Sequence, residues 1–377
     1  MKFSSVVGQA NMKRHLVQMA QRGSIPHAML FSGPEGNGAL PLAMAFAQFI
    51  LCDNPGNDDS CGSCSHCKKV SGIQHPDVHY SYPFFNKTGS EKTTSVDYWQ
   101  SWLPQVVSNP YMGVEQWRSE LTNENRQLFI PVSEAHFIIQ RLSNKSFMGK
   151  YKIQIIWMAE YLNPIAANTL LKLLEEPPSG TVFLLVAVST EQMLATILSR
   201  VQHVRVPSIA EQDMAEALSL RFPHCDGKEI NHYANGDWNR ALQLVNDENP
   251  NIAYLKNFQE WMRVAFKKDM FQIIKWTEAM HGKSREDQKQ FLLYALDQIR
   301  QNLILNAAGQ ELVRMNGDES AFSEKFSRYI NDHNALEFYS YLQDALNDIT
   351  RNAYTKVVFA DLTIRAHYLL LKGADSR

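Results

Sequence analysis

The chain has no apolar run approaching the roughly 20 residues that a membrane-spanning helix needs. Neither charge is in excess. Lys and Arg number 37 against 39 Asp and Glu, for a net charge of −2 and a pI near 6.6. A broad basic footprint is therefore missing, and any nucleic-acid contact must be local or shared with partners. The opening residues, MKFSSVVGQANMKRHL, lack the apolar core of a secretory signal. Together these features predict a soluble, cytoplasmic protein with no membrane contact. Cysteine is scarce, with five in all, and four of them fall between Cys52 and Cys67. In a chain without a signal segment such clustering favours metal over disulfides. Cys225 stands alone and reads as a small residue in a turn or core.

What is present is enough apolar residue, 45% of 377, for two or three domains with cores of their own. From about residue 5 to 207 helical and strand patterns alternate. HAMLFSG, KIQIIWMA (152–159) and TVFLLVAV (181–188) read as strands, and ALPLAMAFAQFILC and PIAANTLLKLLEE (164–176) as helices. Short, almost continuously apolar strands between helices predict a parallel sheet covered on both faces. Residues 79–130 interrupt this rhythm with a polar, aromatic-rich stretch, read as an insertion folded onto the domain. Its rings are Tyr80, Tyr82, Phe84, Phe85, Tyr98, Trp99, Trp102, Tyr111 and Trp117. Packing is the expected role, with partner binding as the alternative. After Pro207 the strands stop. SIAEQDMAEALSLRF reads as a helix capped by Ser208, NHYANGDWNRALQLVND as two helices about a turn at Asn235-Gly236, and the rest as helical. The expected domains are 1–207, 208–248 and 249–377.

Two clusters carry chemistry. Cys52, Cys61, Cys64 and Cys67 form C-x8-C-x2-C-x2-C, and four thiolates suit tetrahedral zinc. Bound metal would fold a knuckle (52–67) too small for its own core. His66 lies inside it, but four sulfurs complete the shell, so a catalytic zinc with an open position is not expected. The alternative is free buried thiols. The second cluster is GPEGNGAL (33–40), between a strand and a helix, where a phosphate-binding loop G-x-x-x-x-G-K-[ST] would sit. Gly33 and Gly38 are kept. Ala39 stands where the lysine belongs and Leu40 where the magnesium-binding hydroxyl belongs. Backbone N–H groups alone could cradle an anion weakly.

IPHAMLFSGPEGNG, the cysteine knuckle, HPDV (75–78), NTLLKLLEEPP (168–178) and TILSR (196–200) follow one another in that order. This resembles the bacterial clamp-loader subunits of DNA polymerase III, within the AAA+ superfamily, over about residues 5–245. The resemblance implies an AAA+ α/β domain with a zinc knuckle, a small helical lid and a helical collar. It implies partners as well: gamma/tau-like motor ATPases, a delta-like subunit, and through the complex a sliding clamp and primed DNA. The family contains hydrolysing motors and a non-hydrolysing stator of delta-prime type. Here Trp157 and Met158 stand where a catalytic acidic pair is expected, Glu160 comes two residues late, and Ser189 is a remnant of a sensor near Val188. No functional ATP binding and no intrinsic ATPase are therefore expected. By the same resemblance Ser199 and Arg200, followed by Val201 in place of the usual cysteine, imply an arginine finger reaching a neighbour's γ-phosphate in trans. The alternative for Arg200 is a helix C-cap. Arg240 falls at the second-sensor arginine and is expected to hold the lid against the α/β domain. Val7, Gly8 and Gln9 fall beside the adenine pocket. Two rivals remain at this point: an active motor ATPase, and a zinc-knuckle nucleic-acid-binding module for which Lys68 and Lys69 are the only local hint.

Overall fold

A computed structural model describes residues 1–86, 93–121, 127–225, 227–246, 251–309, 312–315 and 317–375. Parts of the expected 79–130 insertion (87–92 and 122–126), of the lid (226, 247–248) and of the collar (249–250, 310–311, 316 and 376–377) lie outside the described residues. The chain divides into two compact units, Met1–Val245 and Asn246–Arg377.

In the first unit the order is α1 (Ala10–Gln21), β1 (Ala28–Ser32), α2 (Ala39–Leu51), α3 (Ser65–Ser71), β2 (Val78–Ser81), α4 (Trp99–Ser108), α5 (Val114–Leu121), α6 (Val132–Ser143), β3 (Lys152–Trp157), α7 (Pro164–Glu175), β4 (Thr181–Ala187), α8 (Ala195–Leu198), β5 (Gln202–Arg205), α9 (Glu211–Arg221), α10 (Gly227–Ala234) and α11 (Trp238–Val245). The strands form one parallel sheet in the order β2-β3-β4-β1-β5. Each central strand feeds both faces because successive side chains alternate. Met29 and Phe31 of β1 pack with Ile153, Ile155, Val182 and Leu184 against the face covered by α2. Ala28 and Leu30 pack with Ile156, Phe183 and Leu185 against α6 and α7. Asn163 caps α7 by accepting the Ala166 N–H at 2.7 Å, with Pro164 in the first turn.

Two strands escape the sequence pattern. β2 lies at the start of the stretch read as insertion, so the sheet continues to Ser81 before the chain leaves it. β5 is short and presents Gln202, His203 and Arg205 outward, so it carries no apolar run. The predicted cap at Ser208 is also corrected. Helix α9 starts at Glu211 with Ala210 at its N-cap and no side-chain cap bond. The turn at Asn235-Gly236 forms as expected, with both residues at positive φ.

The insertion's aromatics are core. Tyr82 stacks on Trp102 with ring centroids 4.5 Å apart, Trp117 meets Tyr82 edge-on at 5.4 Å, and all three are fully buried. Such ring pairs add about 0.5–1.5 kcal/mol each beyond area burial. The Trp117 indole N–H donates to the Pro83 carbonyl at 2.7 Å and the Tyr82 hydroxyl to the Ser95 carbonyl at 2.6 Å.

The second unit is helical among its described residues: α12 (Asn251–Lys267), α13 (Met270–His281), α14 (Arg285–Ala308), α15 (Gly317–Phe326), α16 (Ala335–Thr350) and α17 (Thr355–Asp375). Its core stacks Trp261 on Trp276 at 5.9 Å, with Phe291 and Phe359 around them. The Trp261 indole N–H, buried there, donates to Thr363 Oγ1 at 3.0 Å.

Candidate functional site

The cysteine knuckle grows from the end of α2. Cys52 is the C-cap of α2 and Cys64 the N-cap of α3. The four sulfurs lie within 4.8 Å of one another. Cys61 and Cys67 Sγ are 3.9 Å apart. A tetrahedron with bonds of about 2.3 Å requires about 3.8 Å between sulfurs, so the residues fit zinc. Backbone N–H groups of Cys61, Cys64 and Cys67 point at the sulfurs of Cys52, Cys61 and Cys64 at 3.3–3.4 Å, as they would toward thiolates. Burial pushes the Cys67 and Cys52 thiols up, so a cation is what would hold them ionised. Cys225 is not part of this cluster and sits in the turn after α9.

The knuckle is tied to the sheet and to the start of the chain. Asp77 N–H donates to His75 Nδ1 at 3.1 Å, so the His75 proton sits on Nε2 and donates to His66 Nδ1 at 2.8 Å. His66 Nε2 then faces Asp53 at 3.5 Å. His66 is thus a support of the knuckle, outside the sulfur shell. Asp77 accepts the N–H groups of Phe147, Met148 and Gly149 at 2.5–2.7 Å. Although burial works against it, these bonds hold the Asp77 carboxyl below its ordinary value. The HPDV motif is therefore a set of polar clasps at the mouth of β2. Asp59 similarly accepts Phe3 N–H at 3.0 Å and Ser4 N–H at 2.9 Å.

The loop of Gly33–Leu40 lies where β1 hands over to α2. Gly38 is the N-cap of α2 at φ +91°, a conformation that favours glycine. The cleft in front of the loop is narrowed from inside the chain. It is lined by the loop itself, by Pro110, Tyr111 and Met112, by Trp157 and Met158, and by Val186–Val188, and the space left is about 30 Å³. That is room for about one water, where ligand pockets run to about 300–1,000 Å³. Tyr111 is buried and its hydroxyl accepts the Val7 N–H at 2.7 Å. Burial pushes its phenol up to about 12. Gln9, in the segment expected beside an adenine, donates instead to the carbonyls of Asn37 (3.0 Å) and Pro207 (2.7 Å). A β-carbon on Gly8 would stand 2.8 Å from Asp213 Oδ2.

One of the loop's backbone donors is engaged by the loop's own side chain. Asn37 Oδ1 accepts the Ala39 N–H at 2.9 Å, and Asn37 Nδ2 donates to the Val206 carbonyl at 2.7 Å. An anion at this point would have to displace a side chain of the loop itself. Glu35 Oε1 accepts the Val114 N–H at 3.1 Å. The lid closes over the other side. Trp238 N–H donates to the Gly36 carbonyl at 3.1 Å, and a β-carbon on Gly36 would fall 1.8 Å from Asp237 Oδ1. Asn239 bonds to the Tyr111 carbonyl and to Asn109. The lid contacts expected of Arg240 thus run through Trp238 and Asn239, while Arg240 Nε is buried without a hydrogen-bond partner.

Glu160 sits just past β3. Met158 turns left-handed (φ 55°), which lifts the following turn away from the strand direction. Glu160 Oε1 accepts the Val188 N–H at 2.8 Å at the end of β4, and Oε2 is shut from solvent without a hydrogen-bond partner. Burial pushes this carboxyl up to about 7, with neighbouring backbone N–H groups pulling it back and the charge of Glu35 adding to the rise. Ser189 Oγ accepts the Glu191 N–H at 3.2 Å.

Arg200 stands in a different setting. Ser199 is the C-cap of α8, and the guanidinium that follows is 31% exposed. It donates to Thr196 O at 2.7 Å and Ser199 Oγ at 3.1 Å, and pairs through Nε (2.7 Å) and Nη2 with Glu175 Oε1 at the end of α7. The capping contact to Thr196 O and the exposed charge are thus both present. Sequence reasoning missed three parts of this picture: the plug Asn37, the occupant Tyr111 and the partner Glu175. Only the last left a signal, as the first acid of LLKLLEEPP.

The parallel order β2-β3-β4-β1-β5, the glycine loop after β1 and the helices closing over it make this an AAA+-type P-loop α/β unit with a four-cysteine knuckle and a helical C-terminal unit. The family model for "DNA polymerase III, delta subunit" matches residues 8–210, more than half of the chain, which therefore belongs to that family. The chain is 30% identical to the DNA polymerase III subunit delta' of Pseudomonas aeruginosa over 206 residues, 55% of this chain and 51% of that protein. It is 24% identical to subunit tau of Bacillus subtilis over 304 residues, 79% of this chain and 46% of that protein. A solved gamma subunit-related protein of Thermotoga maritima superposes with a TM-score of 0.40 at 14% identity, over 95% of this chain and 99% of that one. The chain spans about half the length of the curated relatives it matches. No helix among the described residues is long and apolar enough to cross a membrane.

Proposed function

We propose that this chain is the non-hydrolysing, delta-prime-type stator of a DNA polymerase III clamp loader. In this role it docks beside gamma/tau-like motor subunits and a delta-like subunit. It lends Arg200 to the neighbouring ATP site, and the complex places a sliding clamp on primed DNA. The observation that carries the reading is the contrast between a nucleotide cleft reduced to about 30 Å³ and a guanidinium left at the surface. The loop lacks both the lysine and the hydroxyl that phosphoryl transfer requires.

An arginine supplied from a neighbouring subunit works by charge. Negative charge on the γ-phosphoryl oxygens is stabilised in the transition state by a positioned, always-protonated guanidinium. Ser199 and the end of α8 hold the Nη1 corner of the Arg200 guanidinium. The knuckle's part is structural. Zinc held by Cys52, Cys61, Cys64 and Cys67 would supply cross-linking alone, with no open position for a substrate. Elemental analysis of the purified chain is expected to give one zinc per chain; a chain that folds fully without metal refutes that assignment.

The test is the ATPase of the reconstituted loader, stimulated by clamp and primed DNA, with this chain or its Arg200→Ala variant after assembly of both has been checked. Turnover is expected to collapse at the site that Arg200 serves while assembly persists. Unchanged turnover would leave Arg200 a helix cap and end the trans reading.

A further inference from the structure

The bonding of Arg200 raises a question of supply. A guanidinium has five N–H donors. Nε and one Nη2 N–H go to Glu175 Oε1, and the two on Nη1 go to Thr196 O and Ser199 Oγ. One N–H remains. Arginine grips a phosphate best with two parallel N–H bonds, so a neighbour's γ-phosphate cannot be gripped that way without a donor being given up. The Nη1 bonds are local, four residues and one residue back along the chain, and hold that corner of the guanidinium against the end of α8. The bond to Glu175 reaches across 25 residues to another helix and occupies the outer edge of the guanidinium.

We infer that Glu175 is a positioning residue that sheathes Arg200, holding it folded back until a neighbour's γ-phosphate takes its place. This rests on the trans role proposed above. Chemistry supports a carboxylate in this place. It matches the guanidinium while the neighbouring site is empty. It is repelled by a triphosphate when that site is filled, so exchange of Glu175 for phosphate is driven by like charge as well as by the new bonds. Glu175 is also a weak enough holder. Its side chain is 46% exposed and that of Arg200 is 31% exposed, and an exposed ion pair biases an equilibrium by a factor of only up to about five. A buried pair would lock the finger; this one delays it.

The experiment uses the assembled loader with Glu175→Gln, Arg200→Ala and the double variant in this chain, measuring kcat and KM for ATP without clamp or DNA. Glu175→Gln is expected to raise basal kcat about two- to fivefold. Arg200→Ala is expected to lower it, and the double variant to behave as Arg200→Ala alone, because nothing is left to sheathe. Glu175→Asp keeps the charge with a shorter reach and is expected to give a smaller rise, which covers the case of poor assembly by the Gln variant. If Glu175→Gln leaves or lowers basal kcat while Arg200→Ala still lowers it, the sheath is wrong and the finger stands. If Arg200→Ala changes nothing, both fall together.

Discussion

The narrow cleft at the Gly33–Leu40 loop and the Arg200 edge are the two places that the proposed function sets against each other. At the cleft the contacts come from within the chain: Asn37 engages the Ala39 amide, Tyr111 accepts the Val7 N–H, and Trp238 donates to the Gly36 carbonyl. At the edge a charged side chain is left half in solvent, held by one carboxylate from another helix. The difference teaches how a site is retired. Replacing the lysine removes the chemistry, but it leaves a hole and unpaired donors that cost stability until other side chains fill them. Once filled, the site serves the fold. In the role proposed for Arg200 no such filling is expected, because its partner would lie outside the chain.

The largest expected effect tests the edge. Arg200→Ala in the assembled loader should cost about 10³–10⁵ in turnover at the site it serves. A loss of only a few-fold would make the edge no more active than the cleft and erase the contrast. Next in size is the ring that lines the cleft. Tyr111→Ala removes a buried ring and should destabilise the chain by about 3–5 kcal/mol in denaturant unfolding. Calorimetry of that variant sharpens the point: no binding of Mg-ATP is expected, because Ala39 and Leu40 still supply neither cation nor hydroxyl. Tight binding would mean that the ring, and not the lost residues, had closed the site.

The smallest effect concerns Glu160. Burial raises its carboxyl from the ordinary 4.5 to about 7, so across that window the folded chain holds a proton the unfolded chain has released. Stability must then fall as pH rises from about 4.5 to about 7. Glu160→Gln, which keeps the acceptor for Val188 N–H, should therefore raise the melting temperature at pH 8 and leave it nearly unchanged at pH 4. An equal shift at both pH values would show that the carboxylate is not burdened by its burial.

Much of this was legible in the residues, and the exceptions have physical causes. β1, β3 and β4 read as strands because both their faces are buried and their sequences are continuously apolar. β2 and β5 are edge strands of four residues, too short and, in β5, too exposed to show a pattern. The knuckle was legible because four sulfurs able to hold one metal ion must lie close together, and their spacing in the sequence reflects it. The loss of the lysine and hydroxyl was legible for the same kind of reason. Tyr111 was not, because it reaches the cleft from more than seventy residues beyond the loop, and a contact of that kind leaves no local trace. That Glu160 comes two residues late was legible, but its place was not, because Met158 turns left-handed just past β3.

One contact joins the two halves of the comparison. Val206, just after β5, donates its N–H to the Ser32 carbonyl at 2.7 Å, and its carbonyl takes the Asn37 side chain, while a β-carbon on Gly33 would collide with that same carbonyl at 1.9 Å. The silent loop is therefore the seat on which the strand after Arg200 is registered. Mutational drift there is not free. A substitution in the loop that disturbs these contacts is expected to slide β5 along β1 and carry with it Arg200, six positions upstream of Val206.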